Sequence, residues 1–347
     1  MNSGVNEVFS LCLTTLNRLK VLWLAIVCLL LSACGTPKFQ PDSGISQTPE
    51  LTPEFVIADD GYQLPLRQYW PPDPPETIVI ALHGFNDYSK AFDAMCQYFL
   101  FQEVACIAYD QRGFGQTMMK GLWPRAGRLQ QDLKMMVRLL NETYPDAHIF
   151  VAGESMGGAV ILTAAVDGDQ SWQRHIRGAI LFAPAVWARS TQPWYQRWLL
   201  WLAVHTFPDW MPTGEGLGVM ATDNIEALRA MGRDDNVIKA TRIDTLFGLA
   251  NLMDDALEAG KRTPLKALVL YGDKDEVIPM IPTCEMLRGM VASKLEVDFV
   301  HYPNGYHMLT RDLQAEQVFK DSVLWMSGKT KSRLVSERLS DFCKNSH

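Results

Sequence analysis

What this chain lacks narrows it first. None of its seven cysteines, at positions 12, 28, 34, 96, 106, 284 and 343, stands in a C-x-x-C pair. That removes the usual zinc and thioredoxin-like spacings. No basic block is interleaved with aromatics, and the net charge is −7, so nucleic acid is not an expected partner. No His/Asp/Glu cluster has metal-ligand spacing, and no internal repeat is visible. The uncharged apolar run Val21–Leu31 falls short of the ~20 residues that a spanning helix needs. What is present is bulk: 347 residues with 48% hydrophobic content can bury a large core, as one domain or one domain with an insertion.

The N-terminus reads as an address. Arg18 and Lys20 precede the apolar run, the charged-then-hydrophobic order of a secretory signal. The run ends in "LSAC", Leu31 to Cys34, which resembles the lipobox of bacterial lipoproteins. That resemblance implies cleavage before Cys34 and a diacylglycerol on its sulfur. Gly35, in place of a retaining aspartate, implies an outer-membrane anchor facing the periplasm or the surface. A plain signal peptide or an uncleaved anchor is the alternative. The long lead before Arg18 leaves room for a start codon downstream of Met1. Residues 1–33 are thus expected to be a signal peptide, and 34–54 the lipidated cysteine with a flexible tether. Gly35–Glu54, rich in Pro, Ser, Gly and Thr, would reach up to roughly 60 Å if extended.

From Phe55 onward, short apolar runs alternate with helical stretches. "TIVIALHG", "VACIAYD", "HIFVAG", "GAILFAP", "ALVLYGD" and "EVDFVHYP" are closed by turn residues and suit parallel strands buried on both faces. Phe55–Ala58 and Leu64–Tyr69 read as an antiparallel hairpin at one edge. Leu129–Tyr144 has helical spacing, with Leu129, Leu133, Met136, Val137 and Leu140 on one face and Asp132 and Lys134 expected to face away. The fold class is therefore α/β, a mostly parallel, doubly wound sheet.

Ligands of such sheets sit beyond the carboxyl ends of the strands. The residues there are His83-Gly84-Phe85, Asp110, Ser155, Asp273 or Asp275, and His307. "HIFVAGESMGGAVILTAA" is a strand, a tight turn and a helix, with Ser155 between glycines two residues away on either side. This is the pattern of a nucleophile elbow, in which small residues let strand and helix pass closely. Acid and base candidates follow in the order this arrangement requires, in "YGDKDEVIP" and then "NGYHML". A serine hydroxyl needs a neutral imidazole to take its proton and a carboxylate to orient that imidazole. Asp273 and Asp275 both remain open as the acid. His301, inside a strand pattern, reads as packed or solvated, His83 as bonding its own loop, and Asp110 and Arg112 as braces between loops.

Together, "HGFNDYS", "YDQRGFGQT", "GESMGG" and "YGDKDEVIP…NGYHML" resemble the monoacylglycerol lipase and lysophospholipase branch of the α/β-hydrolases, grouped with serine aminopeptidase-like hydrolases, over roughly residues 55–325. The resemblance implies Ser155 as nucleophile, Asp275 as acid and His307 as base. It implies an oxyanion hole from the backbone N–H groups of Phe85 and Met156, and no metal or other cofactor. Asn86 stands where such chains often carry glycine, and asparagine tolerates left-handed backbone better than other residues with a side chain.

The resemblance also implies a helical cap, here over 185–245, inserted into a core of 55–184 and 246–330, with 331–347 a polar C-terminal tail. The cap contains "WYQRWLLWLAVHT", where Trp194, Trp198 and Trp201 recur at helical spacing. These aromatics would line an acyl-chain tunnel, touch a membrane interface, or pack the cap onto the core. The expected partners are an acyl-lipid substrate and a membrane. Short esters, thioesters and small peptides remain rival substrates, and a non-catalytic lipid-binding lipoprotein is the rival from another class.

Overall fold

The computed structural model describes residues 18, 20, 21, 23, 35–125, 127–216, 218–329 and 336–345. The apolar run and Cys34 lie outside the described residues, apart from Val21 and Trp23. Among the described residues no helix is long and apolar enough to cross a membrane.

Nine strands form one sheet: β1 (Glu50–Leu51), β2 (Phe55–Ile57), β3 (Gln63–Tyr69), β4 (Thr77–Leu82), β5 (Ala105–Tyr109), β6 (His148–Glu154), β7 (Ile176–Phe182), β8 (Ala267–Gly272) and β9 (Val297–Tyr302). Their spatial order is β1-β2-β3-β5-β4-β6-β7-β8-β9. The first three run antiparallel and β3 joins β5 antiparallel, whereas every pairing from β5 through β4 to β9 is parallel. The six apolar runs become β4 to β9: every residue of β5 and β8 is inaccessible or nearly so, whereas β9, at the sheet edge, is only partly covered.

Helices cover both faces. One layer holds α2 (Arg128–Thr143), α3 (Met156–Val166), α6 (Ile243–Gly260) and α7 (Met280–Ala292), and the other holds α1 (Asp93–Leu100) and α8 (Ala315–Met326). Between β7 and α6 the cap contributes α4 (Trp194–Thr206) and α5 (Ile225–Arg233). The expected boundary at 245 falls inside α6, which starts at Ile243.

Four expectations are corrected. Asp132 and Lys134 do not face away from the core; both are buried. Their charges are matched, Asp132 by Arg112 at 2.7 Å and Lys134 by Asp167 at 2.8 Å. A periodicity argument counts every charge as outward and misses a buried pair. Secondly, Gly35–Glu54 is no free tether. Gln40 is only 4% exposed, its amide donating to Leu122 O at 2.7 Å, and Glu50–Leu51 adds a strand to β2. Polar backbone finds partners on the domain surface without any apolar period.

Thirdly, residues 336–345 of the expected tail pack as α9 (Ser336–Phe342) and a short turn, with Leu339 and Cys343 buried. Cys343 is disulfide-bonded to Cys284 in α7, and Cys96 to Cys106. The spacings carry no signature of either pairing. Lastly, Trp194, Trp198 and Trp201 stand outward, 71%, 62% and 50% exposed. An enclosed tunnel or a packed seam would bury them, so both of those readings fall.

Candidate active site

The turn between β6 and α3 forces Ser155 into φ 52°, ψ −112°. That is a strained conformation for a residue with a Cβ. It persists because the surroundings over-determine it. Ser155 N–H donates to Phe182 O at 2.9 Å, and Ser155 O accepts from Ala185 N–H at 2.9 Å and Ala159 N–H at 3.1 Å. Glycine is required on both flanks. A Cβ on Gly153 would lie 2.5 Å from the Gly157 backbone, and one on Gly157 would lie 2.0 Å from Leu82 O. The two glycines let α3 start against β6 and β4, which aims the serine past the strand ends.

The candidate acid and base come from two turns sewn backbone to backbone. Asp273 N–H donates to Tyr302 O at 3.0 Å and Lys274 N–H to Gly305 O at 2.9 Å. A Cβ at Gly272 would sit 2.4 Å from Gly305, so these turns meet only because both are bare. The result is that His307 Nδ1 lies 2.8 Å from Asp275 Oδ2. Asp275 Oδ1 accepts from the N–H groups of Val277 and Ile278, which fixes the carboxylate's orientation. Of the two candidate acids, Asp275 is the one that meets His307. Asp273 pairs with His301 instead, at 3.0 Å and largely in solvent. Burial alone would push the His307 imidazole down, but the charge and hydrogen bond of Asp275 outweigh it and hold His307 above its ordinary 6.5.

The turn after β4 supplies the third side. A Cβ at Gly84 would stand 3.5 Å from Ser155 Cβ, so this loop passes directly over the serine. Asn86 takes φ 64°, as its chemistry permits, and its side-chain amide donates to Thr241 Oγ1 in the cap at 2.6 Å. Phe85 packs edge-on against Phe114, and Met156 opens α3 from a fully buried position. Their N–H groups belong to the loop and the helix start that border Ser155. His83 is fully buried and neutral, because desolvation depresses its pKa. Its Nδ1–H donates to Gly84 O at 2.7 Å, and its Nε2 accepts from Gln111 N–H at 2.9 Å. Asp110 receives the N–H groups of Ser89 and Gln116, and Arg112 grips Asp60 and Asp132. All three are braces.

One cluster escaped the sequence reading. Arg311, largely buried, donates to Glu154 Oε1 at 2.6 Å and to Asp87 Oδ2 at 2.5 Å, while Glu154 Oε2 accepts from Thr310 at 2.7 Å. Glu154 precedes the serine, Asp87 follows the Gly84 loop, and Arg311 follows His307. A single guanidinium therefore ties the three loops of the site together. The only local signal was a glutamate beside the elbow serine.

The cap is fastened to the same loops. Ala221 O accepts from Met308 N–H at 2.8 Å, Glu276 Oε2 from Met220 N–H at 2.8 Å, and Asp234 Oδ2 from Tyr88 OH at 2.7 Å. Among the described residues no group of His, Cys, Asp and Glu side chains could hold a metal ion. A cavity of about 420 Å³, lined by Phe39, Trp123, Arg125 and Asp255 among others, opens behind α6 and contains none of the residues named above for Ser155, Asp275 or His307.

Residues 73–314 match the family described as serine aminopeptidase, S33. The chain belongs to that family. Its strand order, elbow and capped sheet are those of an α/β-hydrolase. Similar chains include a monoacylglycerol lipase of Mycolicibacterium smegmatis, 25% identical over 74% of this chain and 90% of its own. A monoglyceride lipase of Homo sapiens is 22% identical over 83% of this chain and 96% of its own. Among solved structures, a soluble variant of monoglyceride lipase from Saccharomyces cerevisiae superposes with a TM-score of 0.66 at 20% identity, covering 85% of this chain and 99% of that one. A thermostable carboxyl esterase from Bacillus coagulans gives 0.64 at 17% identity, covering 82% and 99%.

Proposed function

We propose that this α/β-hydrolase, a carboxylic ester hydrolase, cleaves monoacylglycerols or lysophospholipids through Ser155, His307 and Asp275, at a bacterial membrane to which Cys34 anchors it. One observation supports the chemistry: the buried 2.8 Å bond between His307 and Asp275, on a loop whose next residues, Thr310 and Arg311, bond Glu154 beside Ser155.

In this reading His307 takes the Ser155 hydroxyl proton as the oxygen attacks the ester carbonyl. Asp275 keeps the imidazole's Nδ1 protonated, so Nε2 is the basic nitrogen. The Phe85 and Met156 N–H groups receive the oxyanion; losing one such donor typically costs about 3 kcal/mol. His307 returns the proton to the leaving alcohol, then draws one from water, which attacks the acyl-enzyme and frees the acid and Ser155.

The substrate class rests on the relatives named above, since the cap tryptophans line no tunnel. Export rests on the residues before Gly35, and two disulfides fit an oxidising compartment such as the periplasm. The test is an active-site fluorophosphonate followed by a panel of acyl glycerols, lysophospholipids and short esters. Wild type should be labelled, Ser155→Ala should not, and monoacylglycerols or lysophospholipids should exceed acetate esters in kcat/KM. Labelling of Ser155→Ala would remove the nucleophile. Equal turnover across the panel would make the chain a general short-chain esterase. In parallel, a palmitate analogue should mark wild type and not Cys34→Ser.

A further inference from the structure

The turn that carries the Phe85 N–H is held from two sides. On the core side Arg311 grips Asp87 Oδ2. On the other side the cap holds Asn86 twice. Ile238 N–H donates to the Asn86 backbone oxygen at 2.9 Å, and the Asn86 side-chain amide donates to Thr241 Oγ1 at 2.6 Å. Two residues on, Tyr88 OH donates to Asp234 Oδ2 at 2.7 Å. The cap segment 234–241 thus lies along residues 86–88 and bonds them at both ends.

That segment is braced within the cap. Thr241 N–H donates to Pro212 O at 3.0 Å, Ile243 N–H to Trp210 O at 3.0 Å and Asp244 N–H to Pro208 O at 2.9 Å, while Thr213 bridges Ala240. This short antiparallel ladder ties Thr241 to the stretch that follows α4, so a shift of the cap is passed on to Asn86. The backbone itself does not ask for asparagine there. Glycine would take φ 64° freely, whereas asparagine merely tolerates it. What asparagine adds is the amide, and that amide is half satisfied: Oδ1 is buried with no hydrogen-bond partner among the described residues. Such a group gains little stability.

We propose that Asn86 is a positioning residue for the oxyanion: through Thr241 and Ile238 it locks the turn that presents the Phe85 N–H, so that this donor is aimed only while the cap is seated. The role in turnover rests on the reading of Phe85 as an oxyanion donor; the tie between turn and cap does not. A donor acts fully when it is fixed in advance toward the place where charge develops, and deleting one lowers kcat about 10²–10³-fold. A donor that is present but no longer fixed gives up part of that.

The test compares Asn86→Gly, Thr241→Val and their combination with Thr241→Ser, which keeps the hydroxyl, in the purified full-length chain. With p-nitrophenyl butyrate, kcat should fall about tenfold in each of the first two, while KM stays within about twofold. Thr241→Ser should recover wild-type turnover. The combined variant should be no worse than either single one, because both remove the same bond. A short-chain trifluoromethyl ketone reads the hole directly. Ser155 Oγ adds to its carbonyl, the proton passes to His307, and the negative oxygen stands where the oxyanion would. Its Ki should rise by the factor by which kcat/KM falls. The acid limb of the pH profile should stay put, since the His307–Asp275 bond is untouched.

A lower melting temperature in Thr241→Val with kcat and Ki unchanged would mean a merely structural role and overturn the proposal. So would a loss confined to KM, losses that multiply in the combined variant, or a Thr241→Ser as slow as Thr241→Val. The tie is also read without turnover. Hydrogen exchange in the peptide spanning residues 84–88 should quicken in Thr241→Val, and unchanged exchange would sink it. Failure of wild type to react with the fluorophosphonate would instead remove the hydrolase reading, and the oxyanion role with it.

Discussion

Two histidine–aspartate pairs stand at the carboxyl ends of β8 and β9, making the same contact in two different media. His307 and Asp275 meet at 2.8 Å with side chains 5% and 0% exposed. His301 and Asp273 meet at 3.0 Å with side chains 45% and 29% exposed. Water and salt screen the outer pair, which is worth little wherever it occurs. The inner pair is cut off from solvent, and its carboxylate is oriented by two backbone N–H groups that the outer one lacks among its described bonds. A hydrogen bond between histidine and aspartate does not by itself make a base. Burial is what sets the proposed base and its acid apart from the outer pair.

The sharpest way to break that comparison is to delete each histidine. His307→Ala should lower kcat/KM for a soluble short ester about 10⁴-fold or more, and adding Ser155→Ala should scarcely worsen it, because members of such a unit do not act additively. His301→Ala should stay within about twofold of wild type, as removal of one partner of an exposed pair generally does. A loss at His301 comparable to that at His307 would move the base to the outer pair.

The next effect probes burial through a different cation. Arg311→Met would leave the carboxylates of Glu154 and Asp87 buried without their partner, at a cost of about 3–5 kcal/mol. Arg67→Met, which frees the half-exposed Asp93, should cost about 1 kcal/mol or less. Urea titration of both variants at neutral pH checks this. Similar costs would mean that the Arg311 network contributes no more than a surface pair. Arg311→Met should also lower activity in the fraction still folded, since it loosens the Ser155, Gly84 and His307 loops together.

Much of this was legible in the chain. The six core strands announce themselves as short apolar runs with turn residues after them, and Ser155, Asp275 and His307 follow those ends in order. What escaped was of another kind. Asp132 and Lys134 read as outward because periodicity cannot see a partner from a distant segment. Gln40 looked like linker because its burial depends on the carbonyl of Leu122, 82 residues away. Cys284 and Cys343 are separated by 59 residues, and nothing between them encodes the encounter. Local pattern reveals elements and strand ends; pairings across the fold appear only with the fold.

The smallest effect is also the most specific, because it reads the field inside the inner pair. His307 can accept the serine proton only when neutral, so kcat/KM falls as the pH drops through its pKa in the free enzyme. Burial lowers that pKa, yet the charge and hydrogen bond of Asp275 raise it further, so the acid limb of wild type should lie above 6.5. Asp275→Asn removes the largest raising influence and leaves the desolvation, so the limb of its residual activity should move down. Asp273→Asn should leave the limb where it was. The stability contribution runs the opposite way. A raised folded-state pKa stabilises the protein fully below the unfolded value near 6.5, and that contribution is lost as the pH rises through the folded value. The melting-temperature gap between wild type and Asp275→Asn should therefore be wider at about pH 5 than at about pH 9, at one ionic strength throughout. A wild-type limb at or below 6.5, or one that Asp273→Asn moves as far as Asp275→Asn does, would show that the two pairs share one field and that burial does not distinguish them.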